Sequence, residues 1–374
     1  MKLAVIAGNL DPEIGGGATL CRSLLQETKQ TPILGPEHEQ MVFVRGKTIP
    51  SFCRDIGETA FYKEKDLPKL IKRHGCDIAW FMTGGGFPPP LPLPYLATVW
   101  DLQHRTHPYL PEMQKDNEWI YREEKTRLYL QQAAAVVVGT QIGAQEIRNF
   151  YSVPAEKISC IPFPVPSWGQ HRESECLFEK EFGEMEIKAP FFVYPAQFWA
   201  HKNHAVLLYA CKILKEKGIQ CQIICPGGDG GNLSYLKKLA LKLGIEGHVI
   251  FPGFVSEKTL QQLYKNSLGL VFPSLSGPDN LPPLESLALG RPVIQADFPG
   301  AREQLGEAVD YANAFKEEDW AQAMIQLIKF PESAHDSVKK EAIASLLKNR
   351  TTSAYLCQIR NILSQLAALV RCWS

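Results

Sequence analysis

The feature that most constrains this chain is a rhythm that occurs twice. Short apolar runs alternate with helix-length amphipathic stretches from Leu3 to Tyr151, and the alternation resumes from Phe191 to Ile328. Runs of four or five apolar residues with no polar alternation suit strands covered on both faces, as in parallel sheets. The first series predicts strands at Leu3–Ala7, Met41–Val44, Asp77–Phe81, Leu96–Trp100 and Ala135–Val138. The second predicts them at Phe191–Tyr194, Gln222–Cys225, His248–Phe251, Leu268–Phe272 and Pro292–Gln295. Two strand–helix series imply an α/β protein of two Rossmann-like, doubly wound domains facing a central cleft. The ligand is expected at the carboxyl ends of the strands.

The break between the series lies at Ile161–Pro190, where Pro162, Pro164 and Pro166 precede a charged stretch. It predicts a hinge between a domain over 1–165 and a second over 185–349, with a helical tail over 350–374 packing back on the first. Pro88, Pro89, Pro90, Pro92 and Pro94 exclude helix and central strand, so Phe87–Pro94 reads as a stiff connection.

A chain of 374 residues with 45% hydrophobic and 21% charged content can bury two cores unaided. Its formal net charge is zero, so no overall basic field points to nucleic acid or an anionic membrane. The ten cysteines lack paired zinc spacing, Cys221 and Cys225 included, and read as buried thiols. With no leader pattern and no apolar run of about 20 residues, a cytoplasmic location is expected.

Two segments carry chemistry. The loop after the Phe191 strand contains Gln197, His201, Lys202 and Asn203 and runs into a helix. A lysine beside helix-terminal amides suits a diphosphate; a solvated lysine before an Asn cap is the plainer alternative. The segment Phe272–Val293 ends a strand, turns through glycines and prolines, and starts a helix near Pro283 with Glu285 in its first turn. Glu285 would accept hydrogen bonds from a ribose diol, or merely complement the helix dipole. Amides near Asn280 and Leu281 would meet phosphate. Gly227–Gly231 matches a dinucleotide fingerprint only loosely.

His201-Lys202-Asn203 and Leu281–Val293, in this order and spacing, resemble family 4 of the retaining glycosyltransferases, which have the GT-B fold. Thr98–Arg105 with Pro108 and Pro111-Glu112, and Val138–Ile147, add to the resemblance, which covers nearly the whole chain. It implies that Lys202 contacts the donor diphosphate and Glu285 the ribose. Gln197, His201, Asn203, Asn280 and Leu281 would line the donor, and Phe254 and Val255 would lie against the base. Gly16 and Gly17 would approach the donor or acceptor, with Asp101 and His104 near the acceptor hydroxyl. Position 277 is glycine where the family usually has its first glutamate, in a Gly-Pro-x-Asn form that resembles a recurring variant. Position 197 is glutamine where many relatives have arginine, a charge that Arg291 or another residue would have to replace.

The implied reaction moves a sugar from a nucleotide-sugar to a hydroxyl of a glycan or lipid-linked glycan, with retention, no metal and no further cofactor. A lipid-linked acceptor implies peripheral membrane contact, as in polysaccharide and lipopolysaccharide assembly. A nucleotide-sugar-binding protein without catalysis, an epimerase of the same fold and a nicotinamide-dependent dehydrogenase remain as alternatives.

Overall fold

The computed structural model describes residues 1–29, 32–46, 49–84, 91–166, 187, 190–331 and 337–372. The residues divide into two compact units. One comprises Met1–Tyr109, Met113–Ser167 and Asn349–Ser374; the other comprises Leu110–Glu112 and Trp168–Lys348.

The first unit holds a seven-stranded sheet. Its strands are β1 (Lys2–Asn9), β2 (Glu39–Arg45), β3 (Glu58–Phe61), β4 (Ile78–Phe81), β5 (Tyr95–Val99), β6 (Ala135–Val138) and β7 (Ile158–Cys160), ordered β3-β2-β1-β4-β5-β6-β7. Every pairing is parallel. Leu3 to Ala7, Val42 to Val44 and Ile78 to Trp80 are sealed from solvent, which explains why their runs carry no polar alternation.

The second unit holds β8 (Phe191–Val193), β9 (Gln222–Pro226), β10 (Val249–Gly253), β11 (Leu270–Phe272), β12 (Val293–Ala296) and β13 (Asp310–Ala312), ordered β10-β9-β8-β11-β12-β13. Its pairings are parallel too. Counted from its own first strand, this order repeats that of β3 to β6 in the first unit. Each unit is therefore a doubly wound Rossmann-like domain, whose switch point lies at the carboxyl ends of its two central strands.

Three strands escape the apolar pattern. β3, β7 and β13 lie at sheet edges, are three or four residues long and are only partly buried. The central strands are sealed, so their composition announces them, whereas an edge strand tolerates polar residues. Two helices start earlier than expected. Gly16 and Gly17 already belong to the helix Gly16–Glu27. The helix expected near Pro283 runs over Leu281–Ala288, which puts Glu285 in its second turn. The expected hinge lies mostly outside the described residues, as does Phe87–Pro90 of the proline-rich stretch. The tail forms two helices. Ser337–Lys348 belongs to the second unit, and Thr352–Arg371 belongs to the first, where Arg360 donates to the Ile33 carbonyl at 2.6 Å.

Candidate functional site

In the second unit the switch point brings the loops after β8 and β11 side by side. The Leu275 amide donates to the His201 carbonyl at 2.8 Å, and Lys202 Nζ donates to Ser274 Oγ at 3.4 Å. Lys202 Nζ also stands 5.6 Å from the centre of the Phe272 ring, a favourable place for a cation. Beneath the loop, the hydroxyl of buried Tyr194 donates to the Lys202 carbonyl at 2.7 Å. The lysine thus rests on a backbone fixed from two sides.

His201 and Asn203 hold this loop in shape. Both the ring and the amide of His201 contact one carboxylate oxygen of Glu112, the amide at 3.1 Å. Burial pushes Glu112 up, but the hydrogen bonds from His201 outweigh it and hold the carboxyl below its usual range. Asn203 has φ 51° and its side chain makes no cap bond. Its amide group donates instead to the Ala314 carbonyl at 2.7 Å. Both the Asn-cap reading and a donor-facing Asn203 side chain are therefore corrected, because that side chain is committed to the loop before another helix.

Gln197 accepts from the Trp199 indole at 2.7 Å. Arg291 cannot replace the missing charge there: it lies beyond the carboxyl end of Leu281–Ala288, just before β12. A helix of that length spans about 12 Å, and the switch point is at its other end. The loop Gly227–Gly231 has a packing role rather than a dinucleotide one. A Cβ at Gly227 would stand 2.0 Å from the Ala196 carbonyl oxygen, and one at Gly230 2.7 Å from the Trp199 ring. The same loop links to the next, since the Gly227 amide donates to the Gly253 carbonyl at 2.9 Å. Phe254 beyond it is 48% exposed, and Val255 is half-buried.

The turn after β11 is cross-braced by Gln304. Its side-chain oxygen accepts from the Asn280 amide at 3.1 Å, and its nitrogen donates to the Asn280 carbonyl and to Asp279 Oδ1, each at 2.6 Å. The Asn280 amide is therefore taken, which corrects its assignment as a phosphate donor. Pro282 and Pro283 have no N–H, so Leu281 supplies the one amide among the first three helical residues. Gly277 sits at φ 105°, where a Cβ would come within 2.6 Å of Asn280 Oδ1. Asn280 Nδ2 donates to the Gly277 carbonyl at 2.5 Å. Glycine at 277 and asparagine at 280 thus form one unit, in which a side chain at 277 would be strained and would have to displace that of Asn280.

Glu285 is only 5% exposed, which overturns its reading as a surface carboxylate. Burial raises its pKa to about 7; a hydrogen bond from Tyr264 lowers it, and the charge of Glu257 raises it. Sequence reasoning missed Tyr264, Gln304 and Ser274. Each is buried and lies outside the two segments that carry a motif or, like Ser274, carries no charge within one.

The first unit treats its polar residues differently. Asp101 Oδ1 accepts from the Gln103 amide at 2.9 Å and from Arg122 at 3.0 Å. His104 is sealed from solvent, with Nε2 2.8 Å from the Tyr151 hydroxyl. That hydroxyl donates to Glu123 at 2.8 Å, so His104 carries its proton on Nε2. Burial lowers its pKa to about 4, helped by Arg122 and opposed by Glu123 and Asp101. A neutral, enclosed His104 cannot stand at an acceptor hydroxyl in this conformation, and that expectation is corrected. Gly17 lies against Trp100, whose ring would be 1.9 Å from a Cβ there, and Gly16 opens the helix beside it. Among the described residues no three His, Cys, Asp or Glu side chains are grouped to hold a metal ion. Nor is any helix among them long and apolar enough to cross a membrane.

Comparison with known proteins agrees with this architecture. Residues 178–344 match the family model of Glycosyl transferases group 1. The O-antigen chain mannosyltransferase RfbU of Salmonella typhimurium is 27% identical over 190 residues, which is 50% of this chain and 49% of that protein. The chain thus spans about half the length of the curated relatives it matches. Among solved structures, a sucrose-phosphate synthase from Thermosynechococcus elongatus superposes with a TM-score of 0.76 at 17% identity, over 99% of this chain and 100% of that one. HepE of Anabaena, solved in complex with UDP-glucose, gives 0.70 at 16% identity, over 98% and 100%. The fold is GT-B, with two Rossmann-like domains.

Proposed function

We propose that this chain is a glycosyltransferase that takes a sugar from a nucleotide-sugar and delivers it to a hydroxyl of a glycan or lipid-linked glycan. The observation that carries the reading is the stitching of the His201–Lys202 loop to the Ser274–Leu275 loop at the switch point, with Glu285 on the following helix. A cation and a carboxylate carried by the two segments that meet at one switch point suit the diphosphate and ribose of a nucleoside diphosphate. RfbU is named for O-antigen mannosyl transfer and HepE was solved with UDP-glucose, which supports both the donor class and a glycan acceptor.

Negative charge develops on the leaving diphosphate as the sugar departs. Lys202 would stabilise that charge electrostatically, joined by the Leu281 amide at the positive end of its helix. Glu285 would hold the ribose. Asp101, tied to Arg122 but still in part exposed, and the Gly16–Gly17 helix start are the remaining groups proposed near acceptor or donor. Transfer with retention, without a metal or added cofactor, and peripheral contact with a membrane complete the proposal.

Calorimetry with UDP, GDP, ADP and CDP, then with the sugar nucleotides of the base that binds, tests it. One nucleoside diphosphate is expected to bind, with affinity lost in Lys202→Ala and Glu285→Ala while both variants stay folded. Undiminished binding in both would remove the site.

A further inference from the structure

We infer that Tyr264 is a positioning residue for Glu285: its buried hydroxyl fixes one carboxylate oxygen and so presents the other to the ribose hydroxyls of a bound nucleotide. This rests on the donor-site reading above and deepens it. Tyr264 lies on the helix Glu257–Asn266 and is sealed from solvent. Its hydroxyl donates to Glu285 Oε2 at 3.0 Å and lies 3.5 Å from the Pro282 carbonyl, so it ties the carboxylate to the start of the same helix. The other oxygen, Oε1, accepts no hydrogen bond among the described residues, and it is not one of the unpaired atoms closed off from solvent. It is the open end of the group. A carboxylate with one oxygen pinned has lost most of its rotational freedom, so a ribose diol meets an acceptor already in place.

The same contact sets the pH at which the acceptor exists. Burial raises the Glu285 pKa to about 7, the Tyr264 hydrogen bond draws it down, and the charge of Glu257 raises it. The helix Ser337–Lys348 also packs on the helix Leu281–Ala288, but its Lys339 is held by Asp310 at 2.7 and 2.8 Å. Tyr264 itself stays neutral, because burial raises its pKa well above the usual value. The ionised carboxylate is the form that accepts two hydroxyls, so affinity is present above the Glu285 pKa and lost as pH falls through it. Removing the Tyr264 hydroxyl raises that pKa and moves the loss to higher pH.

The test is a pH series of calorimetric titrations, using whichever of UDP, GDP, ADP and CDP binds the wild-type protein most tightly at pH 8. The nucleotide's own phosphate titrates in every variant, so Glu285→Gln supplies the baseline. Relative to it, wild-type affinity is expected to fall roughly tenfold from pH 8 to pH 6, in proportion to the ionised fraction. Tyr264→Phe should bind roughly threefold or more weakly at pH 8 and show its midpoint at higher pH. The 2′-deoxy nucleotide, which offers one hydroxyl fewer, should show a shallower dependence. If Tyr264→Phe does not fold, protein made with 3-fluorotyrosine, a stronger donor of nearly the same size, must move the midpoint to lower pH. A Tyr264→Phe curve that overlays the wild type, while Glu285→Gln is weakened, overturns the positioning role and leaves the donor site standing. Unweakened binding in Glu285→Gln, or no binding of any of the four by folded wild type, overturns both.

Discussion

The two units share a strand order and differ in what they do with polar residues at its switch point. In the second, Tyr194 holds the Lys202 carbonyl and Tyr264 holds one oxygen of Glu285, which leaves the other carboxylate oxygen for a ligand. In the first, Asp101 is paired with Arg122, and His104, Tyr151 and Glu123 form a buried series of hydrogen bonds that leaves His104 Nδ1 unpaired. One topology thus supports a site built from fixed side chains and, elsewhere, a buried run of polar groups bonded to one another. A histidine and an aspartate after a strand look alike in sequence whichever use they serve; burial and partners separate the two.

The widest separation between the units should appear in Lys202→Ala. Loss of one electrostatic donor to the leaving group is expected to lower kcat by about 10²–10³. The melting temperature should stay within about 1 °C of wild type, since the loop is held by backbone bonds rather than by the ammonium. A rate within a few fold of wild type, measured with the donor that calorimetry identifies, would put the leaving-group charge elsewhere.

Gly17→Ala should do the reverse. Its Cβ would stand 1.9 Å from the Trp100 ring, and that ring is packed at the end of β5. Overpacking of this kind costs typically 1–3 kcal/mol. Urea denaturation should show that loss. Equal stability would mean that Trp100 has another place to go.

Gly277→Glu restores the residue usual in the resembling family and sharpens the comparison from the other side. A side chain in the left-handed region costs roughly 1–2 kcal/mol, and here it would also displace Asn280 from the turn that Gln304 braces. Lower stability with no gain in transfer is expected. Faster transfer would show that the Gly277–Asn280 pair is a loss rather than an alternative construction.

Much of this architecture could be read from the sequence, and for a physical reason. The central strands are sealed on both faces, so apolar runs such as Leu3–Ala7 and Ala135–Val138 had no choice of composition. Lys202 and Glu285 stood out as candidates because each is a charge near a helix start within a segment that resembles a known family. The edge strands β3, β7 and β13 left no such mark; Glu58–Phe61, for one, is exposed at both ends. Tyr264 and Gln304 were hidden for another reason: they act across 21 and 24 positions of sequence, and a buried tyrosine reads as core. Asn203 and His104 misled because their type suggests a ligand, while their side chains serve the Ala314 carbonyl and the Tyr151 hydroxyl.

The smallest effect, and the one most specific to the first unit, is expected from Tyr151→Phe. Deleting the hydroxyl leaves the His104 Nε2–H and a Glu123 oxygen without their shared partner, a loss of about 1–2 kcal/mol at neutral pH. Because burial lowers His104 to about 4, the folded state binds fewer protons than the unfolded chain between its ordinary pKa and that value. Its contribution is therefore complete above about 6.5 and is lost as pH falls toward 4. His204, a buried histidine of the second unit lowered to about 3, should add a similar acid sensitivity there. Histidine burial is thus common to both units. His104→Gln should flatten the slope of stability between pH 6.5 and 4 in the first unit, while Tyr151→Phe lowers the curve and leaves nucleoside diphosphate affinity at its wild-type value. A collapse of that affinity in Tyr151→Phe would dissolve the contrast between the units and make the His104 cluster part of the donor site.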